Sequence, residues 1–140
     1  MMRFALEEAL KSGDDIPVGA VVVKDGEIIV SAHNERELTN DVTAHAEIVA
    51  LRKAQQKLGN WRLEECELYV TLEPCPMCAW AILQSRIKAV YFGSYDGNYG
   101  AFGGGIDLRT LSTSSPKVYG GIMEEECDGI LKNYFKKMRN

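Results

Sequence analysis

Residues 66 to 93, CELYVTLEPCPMCAWAILQSRIKAVYFG, decide the fold. Cys66, Leu68, Val70 and Leu72 alternate with Glu67, Tyr69 and Thr71, the period-two pattern of a strand with one face buried. Pro74 and Pro76 then open a helix, because the first amides of a helix have no intrahelical partner to lose. A further apolar run near residues 87 to 93 supplies a second strand. A strand, a helix and a strand in succession make parallel neighbours joined by a right-handed crossover.

Working outward, Ile16 to Asn34 holds two β-branched runs around Lys24-Asp25-Gly26-Glu27. Asp-Gly between such runs predicts a tight hairpin, because the turn needs positive φ. Residues 3 to 11 predict a helix, with Phe4, Leu6, Ala9 and Leu10 at helical spacing. Residues 33 to 42 are polar and read as a loop, and a helix follows from Thr43 to Lys57 with Ile48, Leu51 and Leu58 on one face. Residues 94 to 116 are rich in Gly and Ser and read as loops around one short helix, with a short fifth strand at 117 to 121. The last helix, Met123 to Met138, places Cys127, Ile130, Leu131, Tyr134 and Met138 on one stripe. The expected architecture is α/β: one domain over residues 1–140, a mixed sheet of about five strands, and helices on both faces in three α/β/α layers.

Composition narrows the class. The chain of 140 residues is 46% apolar and 26% charged, as in ordinary globular proteins. No apolar run approaches the roughly 20 residues that span a bilayer, so no membrane partner is expected. The opening MMRFALEEALKSGDD lacks the apolar core of a secretory signal, which predicts a cytoplasmic protein. A net charge of −4 argues against a broad nucleic-acid surface, although a local basic patch is compatible with it.

Four cysteines with one close pair, Cys75 and Cys78, point to metal binding or catalysis rather than a disulfide framework. At i and i+3 they share one helix face, where the positive end of the dipole favours thiolates. Such a pair alone fits a redox dithiol or half of a structural zinc site equally well. Ligand count separates the readings. A structural site closes with four ligands, yet Cys66 alternates with core residues and Cys127 lies on the apolar stripe of the last helix. Adding His45 gives His, Cys, Cys and an open position, the layout of catalytic zinc. Glu47, two residues from His45, is the acid/base candidate. His33 reads as a loop histidine rather than a ligand, and Glu73 as a structural carboxylate that caps or charge-stabilises the cysteine helix.

His-x-Glu joined to Pro-Cys-x-x-Cys is the signature of zinc nucleobase deaminases. With MRFALEEA, IPVGAVVVKDGEII, NDVTAHAEIVALRKA, LYVTLEPCPMCAWAILQSRI, YFGSYDGNYGAFGG and EEECDGILKNYFKKMR, nearly the whole chain resembles the bacterial tRNA-specific adenosine deaminases of the cytidine and deoxycytidylate deaminase superfamily. The resemblance implies a cytidine-deaminase-like fold and one zinc per subunit held by His45, Cys75 and Cys78, with Glu47 shuttling protons. It implies that Asn34 and the Ala46 backbone amide bind the base, and that the substrate is adenosine at the wobble position of a tRNA anticodon loop, converted to inosine. It further implies a homodimer, with Ala79 and Trp80 near the subunit boundary. RNA contact falls to Lys132, Lys136, Lys137 and Arg139, interleaved with Tyr134 and Phe135, and the Gly-rich stretch 97–105 falls near the nucleic acid.

Val42 departs from the family's usual proline before Thr-Ala-His-Ala-Glu, which loosens the loop without touching chemistry. Two rivals share parts of this pattern. One is a deaminase of a free base or nucleoside, of guanine or cytidine type; cytidine deaminases carry Cys where His45 stands, whereas guanine deaminases share His. The other is a non-catalytic zinc-stabilised RNA-binding module, which has no use for Glu47.

Overall fold

A computed structural model describes residues 1–139. Its first turn follows from local chemistry: Asp25 and Gly26 take φ of 52° and 77°, the positive pair a tight hairpin requires. They join β1 (Gly19–Lys24) antiparallel to β2 (Glu27–His33). Helix α1 (Met2–Ala9) precedes the hairpin, and α2 (Arg36–Thr39) and α3 (Ala46–Leu58) follow it. The crossover read at residues 66 to 93 is β3 (Cys66–Leu72), α4 (Pro76–Gln84) and β4 (Ala89–Ser94), with β3 and β4 parallel. The chain ends with β5 (Lys117–Tyr119), parallel to β4, and α5 (Glu124–Met138).

The mixed sheet runs β2-β1-β3-β4-β5. On one face Ala20, Val22, Leu68, Val70, Val90 and Phe92 pack against Val49, Ala50 and Ala54 of α3 and Ala79, Ile82 and Leu83 of α4. On the other, Met2, Ala5 and Leu6 of α1 and Cys127 of α5 pack with Tyr69 and Ile130. The expected three layers are present. No helix among the described residues is long and apolar enough to cross a membrane.

β2 forms the outer edge of the sheet. Lys53 and Lys57 of α3 reach over it, their ammonium groups donating to the carbonyls of Ser31 at 3.0 Å and Ile29 at 2.9 Å.

Gly19 is where α1 meets the sheet. A Cβ there would lie 1.9 Å from the Ala5 carbonyl oxygen and 2.5 Å from the Ala9 nitrogen, both rigid backbone. Gly19→Ala is therefore expected to destabilise the fold by about 1–3 kcal/mol, the usual range for overpacking. A lowered urea midpoint at unchanged m-value would show it.

Several expectations need correction. Residues 33–42 are not all loop: β2 runs to His33, and Arg36–Thr39 form a helical turn. Asp15 holds that turn from 21 positions away, its carboxylate accepting from the Arg36 backbone amide at 2.8 Å. In α1 the buried apolar residues are Met2, Ala5, Leu6 and Ala9, while Phe4 and, just past the helix, Leu10 are exposed. In α3 the core face carries Val49, Ala50, Leu51 and Ala54, and Ile48 is only half-buried. Met138, expected on the apolar stripe of α5, is exposed. Ala79 is fully buried, so of the two α4 residues expected at a subunit boundary only Trp80 reaches the surface, beside Met77.

Candidate active site

Helices α3 and α4 begin at one place, on the C-terminal side of the parallel strands. His45 is the N-cap of α3 and Cys75 the N-cap of α4, and neither side chain caps its own helix. Both are left free to point at a common centre. Cys78, in the first turn of α4, completes the group and is fully buried. The positive ends of two helix dipoles thus face the same point, which favours anionic sulfur there.

His45 Nδ1 lies 3.7 Å from Cys75 Sγ and 3.5 Å from Cys78 Sγ, and the three donor atoms lie within 4.8 Å of one another. Zinc bonds of about 2.05 Å to nitrogen and 2.3 Å to sulfur, at a tetrahedral angle, put N and S about 3.6 Å apart. The observed separations fall on either side of that value. The donor set fits zinc in charge and size, and it stops at three among the described residues. Cys66 and Cys127 are buried in the two apolar layers, away from the group.

The electrostatics of the bare group follow from crowding. Hydrogen bonds accepted from Cys78 and from His45 hold the Cys75 thiol down at about 4, whereas Cys78, bonded to Cys75 and buried, is pushed far up. Bonding to Cys75 raises His45. Glu47, in the first turn of α3, is 4% exposed. Burial lifts its carboxyl to about 7, and the charge on Cys75 adds to the effect.

A pocket of about 200 Å³ opens over these groups, lined among others by Asn34, His45, Glu47 and Cys75. Asn34 is buried and doubly bonded: its amide nitrogen donates to the Ile16 carbonyl at 2.8 Å, and its oxygen accepts from the Ala46 amide at 2.8 Å. The Ala46 amide, expected to line the pocket, is thus engaged with Asn34.

Sequence reasoning missed the rest of the lining, which includes Arg36, Glu73, Asp96 and Tyr99. Arg36 is anchored by Asp15, whose Oδ1 accepts from the guanidinium at 2.6 and 3.0 Å. Burial alone would raise the Asp15 carboxyl, but Arg36 outweighs it and holds the group below its ordinary value. A spacing of 21 residues through a hairpin offered no signal for that pair. Glu73 makes no cap on α4. It accepts instead from the amides of Asp96, Phe102 and Gly104. His33 sits apart from the three donors, its Nδ1 3.1 Å from the Asn34 carbonyl. Lys132, Lys136, Lys137 and Arg139 are exposed along α5, and Tyr134 is tied to the Asp14 carbonyl at 3.0 Å.

Comparison with known proteins matches residues 1–94 to the cytidine and deoxycytidylate deaminase zinc-binding region. The chain is 44% identical to a tRNA-specific adenosine deaminase of Bacillus subtilis, across 99% of this chain and 88% of that protein. A solved structure from studies of A-to-I editing by tRNA:A34 deaminases superposes with a TM-score of 0.86 at 45% identity, covering 93% of this chain and 97% of the other. A guanine deaminase from Nitrosomonas europaea superposes at 0.82 with 25% identity, covering 95% and 81%. Near-complete coverage at this identity, with the three donors and the carboxylate on the matched segment and the zinc-site helices, leaves one assignment: the chain belongs to the cytidine and deoxycytidylate deaminase family, in its tRNA-specific adenosine deaminase branch.

Proposed function

We propose that the protein hydrolyses adenosine to inosine and ammonia at the wobble position of a tRNA anticodon. The observation that carries this reading is the convergence of His45, Cys75 and Cys78 at tetrahedral spacing under a pocket that also holds the buried Glu47.

Zinc held by His45, Cys75 and Cys78 supplies the Lewis acidity that makes water a nucleophile near neutral pH. Glu47 would take one proton from the attacking water and pass it to the purine ring. It would then take the second proton from the resulting hydroxyl and pass it to the amino group, which leaves as ammonia. Glu47 is placed for this in the first turn of the helix whose N-cap is His45, nearly fully buried at the floor of the pocket. Asn34 binds the base through its second amide hydrogen, since the first is spent on Ile16. Ala46 contributes by fixing the Asn34 carbonyl. A base must leave its stack to reach so buried a centre, and anticodon loops present splayed bases.

The active form in this reading is a homodimer in the cytoplasm, with one zinc per subunit. Trp80, 42% exposed, and Met77, 38% exposed, mark the contact face on α4. The exposed cations of α5 meet RNA phosphates.

The test is incubation with a tRNA carrying a wobble adenosine and, separately, with free guanine and free cytidine. Inosine in the RNA, with neither free compound consumed, is the expected result. Ammonia released only from a free base would overturn the reading in favour of the free-base branch.

A further inference from the structure

Glu73 is a buried carboxylate that the chemistry above does not use. It is 2% exposed, yet it lines the pocket. Its Oε1 accepts from the Asp96 amide at 3.0 Å, and its Oε2 from the amides of Phe102 at 3.1 Å and Gly104 at 2.8 Å. Three of the roughly four acceptor sites of a carboxylate are thereby spent on one loop. The loop is built to let this happen. A Cβ at Gly100 would lie 2.3 Å from the Glu73 carboxyl carbon, and one at Gly104 2.3 Å from its Oε1.

What the loop carries explains why it is gripped. Asp96, held by Glu73, accepts in turn from the amides of Asn98 and Tyr99 at 3.0 Å each. Tyr99 lines the pocket with 71% of its surface exposed. An aromatic ring held at the rim of a base pocket is a stacking platform for a nucleotide beside the flipped one. We propose that Glu73 is a positioning residue, which presents the Asp96–Gly104 wall and the Tyr99 ring to the RNA and so sets its affinity rather than the rate of the chemical step. This rests on the tRNA reading given above.

Glu73→Gln is the sharp variant, because its NH2 group must face a backbone donor on one side. On an anticodon stem-loop with a wobble adenosine, zinc-loaded Glu73→Gln is expected to raise KM at least tenfold while kcat stays within threefold. Zinc content should stay at one per chain. Gly104→Ala, which leaves the carboxylate in place but crowds it, should give the same split. Tyr99→Ala should raise KM and Tyr99→Phe should not. Amide exchange at Asp96, Phe102 and Gly104 should quicken tenfold or more in Glu73→Gln, with β3 and α3 unchanged. Wild-type constants in both loop variants, or a loss of kcat at constant KM, would overturn the assignment. Should Glu73→Gln fail to fold, Gly104→Ala decides by the same criteria. If the wild-type protein is inert on RNA, it is the tRNA reading that fails, and amide exchange still decides whether Glu73 holds the loop.

Discussion

Glu47→Ala is expected to lower inosine formation by at least a thousandfold while the protein keeps one zinc per chain. General acid–base catalysis contributes about 10²–10⁴ in a single transfer, and in the proposed mechanism one carboxylate serves every transfer of the cycle. Neither of the two other carboxylates named in the pocket lining is free to stand in. Glu73 has its oxygens committed to backbone amides, and Asp96 accepts from Asn98 and Tyr99. The metal should be unaffected, because among the described residues the group that could hold it is His45, Cys75 and Cys78, without Glu47. Glu47→Gln fills the same volume and should be equally inactive, which separates loss of the proton acceptor from loss of packing. Single-turnover assays beside elemental analysis check both halves. Inosine formation surviving at more than a tenth of the normal rate would exclude the mechanism.

Cys78→Ala should be still more damaging, because it removes the metal itself. Cys78 is fully buried, and among the described residues no fourth donor joins the group to take the place of its sulfur. The pair of donors left behind, His45 and Cys75, is expected to retain less than a tenth of a zinc per chain after dialysis, with deamination below one-thousandth of normal. Cys66→Ala and Cys127→Ala are the controls. Both thiols are as buried as Cys78, but they sit among apolar side chains, so both variants should keep zinc and activity. Elemental analysis of the three proteins gives the comparison. Full zinc in Cys78→Ala would place the metal elsewhere.

The elements legible in the sequence were those whose causes lie within a few residues. Asp25-Gly26 supplies its own turn, and β3 spans Cys66–Leu72 with burial alternating as far as Val70, after which Thr71 is buried and Leu72 half-buried. The three donors were legible because each marks the start of a helix, where spacing and proline report directly on geometry. What stayed hidden depends on partners far along the chain. The turn at Arg36–Thr39 is short and polar, and what holds it is Asp15. The conformation of residues 96–104 is dictated by Glu73, which looked like a helix cap because it stands just before one. Helical spacing also could not tell which flank of an amphipathic segment meets the sheet: Phe4 and Leu10 fit the spacing, yet they are exposed. Asn34 could be named, but not its bond to Ala46, because β2 must first return the chain beside α3.

The two lysines that lean from α3 across β2 also govern what this molecule does in a crowded solution. An unpaired strand margin is an invitation to backbone from a neighbouring molecule. On this side any incoming chain would first have to evict two ammonium groups from the carbonyls of Ile29 and Ser31. At the opposite margin β5 offers only three residues, too short a template for stable cross-β growth. Fibre formation through either rim is thereby discouraged, and encounters between copies are turned toward their helical flanks.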